Sequence, residues 1–291
     1  MAPHSARRKC PRQAAGRRLK ILCENGERME IQKRKIDLRL SLIDAAQCFH
    51  WLETERGFGA VLDGNAVWLR SDAEIADARL RRYLDLDRDY AAIAREYAEF
   101  PAAQQAFAAC PGLRVLNQPA WETLFSFILS ANNNVVRIRS LVYAISRAYG
   151  PEADGLYGIP GPEAVAGASE AELRALGAGY RAPYLIETAR AVCEGFSLEA
   201  LRDLPYEEAH ARLTTLKGVG DKVADCVLLF GCGHAEAFPV DTWVAKLLHE
   251  WFGMRGSRRH LARMARERFG AHGGILQQFL FHAARTGAVK L

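Results

Sequence analysis

Three patterns of apolar and polar positions succeed one another along the chain. Residues 1–35 show no sustained apolar period. From Asp37, Leu38, Leu40 and Leu42 alternate with polar neighbours, the two-residue period of a half-buried strand. Ala60-Val61-Leu62 and Ala66-Val67-Trp68-Leu69 then flank Asp63-Gly64-Asn65. An Asp-Gly turn between two short β-type runs predicts a hairpin, so residues 36–72 are expected in an antiparallel sheet. After Asp72 the period lengthens. Val135, Ile138, Leu141, Val142 and Ile145 mark one helical stripe, and Val244, Leu247, Leu248 and Trp251 another. Ser169 with Glu172 forms a capping-box pattern, Gly177 and Gly179 end that helix, and Pro183 suits the first turn of the next. The expected class is α+β: a disordered basic tail over 1–35, a sheet-bearing domain over 36–115 and a helical domain over 116–291.

Charge changes the picture only once it is located. The formal net charge is +5, but residues 1–35 hold 11 Lys/Arg against three acids. The remainder therefore carries 28 basic and 31 acidic side chains, so net charge argues nothing about the folded body. Residues 251–291 are locally cationic, with eight Lys/Arg and a single acid, Glu267. That is either a nucleic-acid face or an ordinary solvated helix surface. The basic start is open to three readings: an organellar transit peptide, a nucleic-acid-binding tail, or an upstream extension of a chain starting at Met29. The seven cysteines are scattered and odd in number, which suits a reducing compartment. If the chain is bacterial, the cytoplasm or nucleoid is expected; otherwise the nucleus or mitochondrion. No apolar run approaches the roughly 18 residues of a membrane helix, and no membrane partner is expected.

The segment richest in chemistry is Leu216-Lys217-Gly218-Val219-Gly220-Asp221-Lys222-Val223-Ala224-Asp225, between two helical stretches. Gly218 and Gly220 permit a tight turn and close approach of backbone to a ligand. Amides opening the second helix form a phosphate cradle that grips a DNA backbone without reading sequence. Neither a P-loop nor a dinucleotide fingerprint fits, because Val223 stands where those motifs need Ser/Thr or Gly. Asp221 is expected to cap the helix. Lys222 is a cation in a first helical turn, where the macrodipole opposes its charge; this suits an amine that must react in its neutral form, though a simple phosphate contact would also account for it. Nineteen residues on, Phe238-Pro239-Val240-Asp241-Thr242-Trp243 places Asp241 at the start of another helix. Asp241 alone would be an N-cap; paired with Lys222, it completes a nucleophile and carboxylate able to attack a sugar carbon and steady the developing charge.

Three further motifs agree in order with this one. They are Gln47-Cys48-Phe49-His50-Trp51 after Ala46, Phe127-Ile128-Leu129-Ser130-Ala131-Asn132-Asn133-Asn134 leading to Arg137, and Gly177-Ala178-Gly179-Tyr180-Arg181. Read alone, the asparagines are a loop and cap, Tyr180 is half-buried packing and Cys226 is core. Together, over residues 36–285, the chain resembles the 8-oxoguanine DNA glycosylase/AP lyase family of the helix-hairpin-helix superfamily of base-excision DNA glycosylases.

The resemblance implies a role for each position. Lys222 and Asp241 are the catalytic pair. The Ala46 carbonyl, Cys226, Gln277 and Phe281 form the base pocket. Asn132 fills the gap left by the flipped base, Tyr180 wedges the stack, Arg137 and Arg181 read the orphaned cytosine, and Gly218, Val219 and Gly220 hold the backbone. Ala46 replaces the family's glycine, and Trp243 stands where the better-known eukaryotic members have histidine. The implied activity is excision of 8-oxoguanine and related oxidised purines opposite cytosine, with a Lys222 Schiff base and β-elimination. The implied partner is duplex DNA containing an oxidised purine, met by a monomer without cofactor. No metal site is expected, since Cys226, Cys232 and His234 lack a fourth zinc ligand. The rivals are an alkylpurine glycosylase, which typically lacks the hairpin lysine, and a catalytically inert DNA-binding module.

Overall fold

The computed structural model describes residues 18–22, 28–32, 36–70 and 75–289. Within the stretch read as a disordered tail, β1 (Arg18–Leu22) and β2 (Arg28–Gln32) pair antiparallel, Leu19 opposite Ile31 and Lys20 opposite Glu30. This corrects the tail reading for those ten residues. Each run carries a short two-residue alternation, and the sequence between them holds Asn25-Gly26, a turn signal. The rest of 1–35 lies outside the described residues.

The expected strand at Leu38–Leu42 is also corrected: the chain there is helical and runs into a π turn over Leu40–Asp44. Asp37 Oδ1 accepts from the Leu40 amide at 2.9 Å and starts the turn. Leu38 and Leu42 are both buried, and a spacing of four serves a helix face as well as it serves a strand face. The sheet itself is β3 (Leu52–Thr54), β4 (Gly57–Leu62) and β5 (Asn65–Leu69), in that order and antiparallel. Leu62 pairs with Asn65 across Asp63 and Gly64, whose φ values of +49° and +75° match the left-handed pair of a type I′ hairpin. Beneath it, Leu38, Leu42, Trp51, Phe58 and Leu116 form a small core.

The helices that build the cleft described below are α1 (Ala120–Ser130), α2 (Val135–Tyr149), α3 (Ala182–Cys193), α4 (Tyr206–Leu213), α5 (Asp221–Val227), α6 (Thr242–Phe252), α7 (Arg258–Phe269) and α8 (Gly273–Arg285). Both expected stripes face the larger core: Ile138, Leu141, Val142 and Ile145 of α2, and Val244, Leu247 and Leu248 of α6, are buried. The Ser169/Glu172 capping box is present, and Pro183 lies in the first turn of α3. The two units are stitched by polar side chains reaching backbone. Arg139 of α2 donates to the carbonyls of Leu42, Ile43 and Trp51 at 3.2, 2.5 and 3.2 Å. Gln278 of α8 donates to Ala45 O at 2.6 Å, and Arg285 donates to Asp44 O. The segment carrying Ala46 is thus tied to the helical unit through α2 and α8.

Candidate active site

An open cleft of about 990 Å³ runs between the hairpin, the Asn loop and the Ala46 segment, and both Lys222 and Asp241 line it. Gly218 makes the hairpin possible. Its φ is +83°, and a Cβ there would sit 2.6 Å from Tyr184 Cβ on α3, so only glycine lets the turn lie against that helix. The Thr188 hydroxyl, also on α3, donates to Lys217 O at 3.1 Å and ties the turn down. The N-cap of α5 is Gly220, with no capping side chain. Asp221 is therefore not the cap, as the sequence suggested, but the first helical residue. Its carboxylate lies 3.8 Å from His210 Nε2 and 3.8 Å from Arg259 Nε.

Lys222 extends into the cleft. Its Nζ donates to Ser130 Oγ at 3.3 Å and lies 4.7 Å from the centre of the Phe127 ring. Ser130 Oγ in turn donates to Phe127 O at 2.7 Å, so the two residues that hold the amine are locked to each other on α1. Asp241 is the N-cap of α6, Oδ1 accepting from the Val244 amide at 2.8 Å. The cap bond fixes the carboxylate on the cleft wall, so capping α6 and lining the cleft fall to one side chain. Cys226, one turn beyond Lys222, is buried behind that wall. Burial pushes its thiol up to about 12, with Lys222 pulling the other way, so it stays a neutral thiol.

Ala46 lines the cleft with a left-handed backbone, φ +56°. The carbonyls on either side of it are taken, Ala45 O by Gln278 and Gln47 O by Gln118 at 2.8 Å. Among the described residues no donor reaches the Ala46 carbonyl. Phe281 lines the cleft as well, whereas Gln277, one turn earlier on α8, is 5% exposed and has a buried Oε1 without a partner. An unpaired buried amide oxygen is costly unless something arrives to bond it.

The three asparagines divide their work. Asn134 caps α2, its Oδ1 accepting from the Arg137 amide at 3.0 Å. Asn133 bonds back to Leu129 O at 3.2 Å, and Asn132 adopts φ +49° with its amide donating to the Tyr180 hydroxyl at 3.3 Å. Tyr180 donates to Ala131 O at 3.1 Å and is 44% exposed. Arg181, the second expected cytosine reader, is engaged within the protein. It is 5% exposed, its guanidinium donates to the carbonyls of Ala131 and Asn132, and it stacks 4.4 Å from the Tyr180 ring centre. Arg137 is exposed, with no side-chain partner among the described residues. Val219 is buried and does not line the cleft. Sequence reasoning quoted Phe127 and Ser130 without giving them a role and missed Arg139, Gln118, Gln278 and Arg285. Only their polarity among apolar neighbours could have flagged the last four, three of them on helices and Gln118 in the stretch before α1.

A helix-hairpin-helix presenting a lysine and a helix-capping carboxylate to one cleft defines the class of the protein. Comparison with known proteins places it more closely. The model of the HhH-GPD superfamily of base excision DNA repair proteins matches residues 125–270, and that of the 8-oxoguanine DNA glycosylase N-terminal domain matches residues 70–124. A probable N-glycosylase/DNA lyase of Methanothermobacter thermautotrophicus is 34% identical over 202 residues, 60% of this chain and 65% of that protein. The N-glycosylase/DNA lyase of Saccharomyces cerevisiae is 34% identical over 170 residues, 53% of this chain and 45% of its own length. The chain thus spans between about half and two thirds of these curated relatives. The Clostridium acetobutylicum 8-oxoguanine glycosylase/lyase, in complex with duplex DNA containing cytosine opposite 8-oxoguanine, superposes with a TM-score of 0.80 at 31% identity, covering 88% of this chain and 93% of that one. The chain belongs to the HhH-GPD superfamily of base-excision DNA repair proteins, within its 8-oxoguanine DNA glycosylase/AP lyase family.

Proposed function

We propose that the protein is a bifunctional glycosylase/lyase that removes 8-oxoguanine and related oxidised purines paired with cytosine in duplex DNA. The observation that carries this reading is the Lys222 amine on the cleft wall, held by Ser130 and Phe127, with Asp241 lining the same cleft. Nζ attacks C1′ of the extruded nucleotide, the bond from C1′ to the purine nitrogen breaks, and the base leaves with the bonding pair and takes up a proton. The amine loses its own protons as the sugar opens to a Schiff base, and Asp241 steadies the positive charge that builds on the sugar. Loss of a C2′ proton then expels the 3′ phosphate and nicks the strand. The Ala46 carbonyl, free of partners among the described residues, suits the hydrogen that 8-oxoguanine carries on N7. Phe281 offers a ring for stacking, and the orphaned Gln277 oxygen an acceptor for the base edge. Family resemblance assigns Asn132, Tyr180, Arg137 and Arg181 to the vacated stack and its cytosine.

The test is incubation with duplexes carrying 8-oxoguanine opposite each of the four bases, with and without borohydride. A covalent protein–DNA adduct is expected, most readily opposite cytosine. Lys222→Gln should bind damaged duplex yet give no adduct; an undiminished adduct in that variant removes Lys222 from the chemistry. A water-using alkylpurine glycosylase would give no adduct in the wild type.

A further inference from the structure

We propose that Trp243 is a stacking residue for DNA, packing its indole on the base that flanks the lesion in the damaged strand. The proposal rests on the duplex reading above and concerns a residue that reading leaves unused. Trp243 lies off the buried stripe of α6 and is 51% exposed. A single exposed apolar residue means little, but this one lines the cleft, and so does Val136, which is 76% exposed. The indoles of Trp51, Trp68 and Trp121 donate to the Tyr83 hydroxyl, Asp154 and Pro160 O. Trp243 has neither a hydrogen bond nor a ring contact among the described residues. Its turn is nevertheless fixed: Asp241 caps it two residues earlier, and Arg258 donates to the Thr242 hydroxyl at 3.4 Å. A large flat ring is therefore presented on a rigid base, unpaired, two residues from the carboxylate that must face the reacting sugar.

Asp241, Trp243 and Phe281 line the same cleft; with the damaged base going to Phe281, the indole is left for the neighbour of the extruded nucleotide. Stacking is indifferent to base identity, which a glycosylase scanning every sequence context requires. The histidine of the better-known eukaryotic members can carry a charge toward a phosphate. An indole cannot, so its contribution should be independent of salt.

The experiment measures binding by fluorescence anisotropy, in a Lys222→Gln background, to a duplex with 8-oxoguanine opposite cytosine. Trp243→Ala should weaken binding about tenfold to a hundredfold. The slope of log affinity against log salt should not change. Trp243→Phe should recover most of the loss. Replacing the base on one side of the lesion by an abasic spacer should cost the parent a similar factor and cost Trp243→Ala nothing further. Binding of Trp243→Ala within twofold of the parent overturns the proposal. So does a loss accompanied by a shallower salt slope, or a loss that adds in full to a spacer on either side. Borohydride trapping by the wild-type chain separates the two readings: trapping with no effect of residue 243 sinks only this inference, and absence of both trapping and duplex binding sinks both.

Discussion

Gly218→Ala should cost the folded chain about 2–5 kcal/mol, whereas Gly220→Ser, two residues on, should cost nothing. At residue 218 φ is +83°, where an L residue costs about 1–2 kcal/mol. The added Cβ would also lie 2.6 Å from Tyr184 Cβ and 2.7 Å from its Cγ. Those atoms sit next to the α3 backbone and cannot swing away, so the misfit forces a helix shift, worth roughly 1–3 kcal/mol. At about 2–4 °C per kcal/mol, the melting temperature should fall by roughly 4–20 °C. Gly220 is the contrast: φ is −93°, and nothing lies within 4 Å of a Cβ built there. Serine is a slightly better N-cap than glycine, by a few tenths of a kcal/mol, so stability should hold or rise. Its hydroxyl would occupy an α5 amide that the proposed function offers to a phosphate, and duplex affinity should drop. Calorimetry and anisotropy on the same preparations read both effects. Gly218→Ala melting within 2 °C of wild type would refute the packing argument, and unchanged duplex affinity in Gly220→Ser would take the hairpin amides out of DNA binding.

Ala46→Gly should raise stability by roughly 1 kcal/mol by relieving a left-handed alanine, φ +56°, while excision persists; a lower melting temperature would show that the methyl packs usefully. Burial holds the Glu122 carboxyl up at about 8, with the Asp63 charge pushing the same way, and the nearby His50 imidazole is held down at about 4 by its own burial, so it brings no compensating charge near neutrality. The folded chain thus keeps a proton on Glu122 that the unfolded chain loses above about 4.5, so the contribution of Glu122 to stability falls as pH rises from there toward 8. Glu122→Gln imitates the protonated acid, so its melting temperature should gain on wild type steadily across that range; a difference independent of pH would refute the assignment.

The helical body was legible because its signals are local. The α2 and α6 stripes, the Ser169/Glu172 box and the Asp63-Gly64 turn each lie within a few residues and agree with the fold around them. Leu38–Leu42 was misread because leucines two apart satisfy a strand while the outer pair, four apart, satisfies a helix face; the Asp37 cap decided between them. Asp221 was misread as the cap because its residue type is the stronger capper, yet the extended backbone of Gly220 begins the helix one position earlier. What positions Ala46 was not legible at all. Its neighbours are held by Arg139, Gln118, Gln278 and Arg285, whose partners lie 71 to 241 residues away in sequence.

Long-range contacts of this kind also separate the two arginines expected to read cytosine. Arg181 spends Nε on Ala131 O at 2.8 Å and Nη2 on the Ala131 and Asn132 carbonyls, the second at 3.2 Å. Those bonds hold Asn132 in its left-handed turn beside Tyr180. Turning the guanidinium to a base would break these bonds, leaving Asn132 O without its donor and Ala131 O with the Tyr180 hydroxyl alone, at a cost of about 1 kcal/mol per bond. Arg137 faces no such cost, being exposed and without a side-chain partner among the described residues. Discrimination for cytosine should therefore rest on Arg137 first. Arg137→Ala should leave the melting temperature unchanged and shrink the ratio of single-turnover excision opposite cytosine to that opposite adenine. Arg181→Ala should lower the melting temperature and slow excision opposite both bases, because the loop carrying Asn132 loses its clasp. If Arg181→Ala melts like wild type and loses only its preference for cytosine, its bonds to the loop are dispensable, and Arg181 is the reader after all.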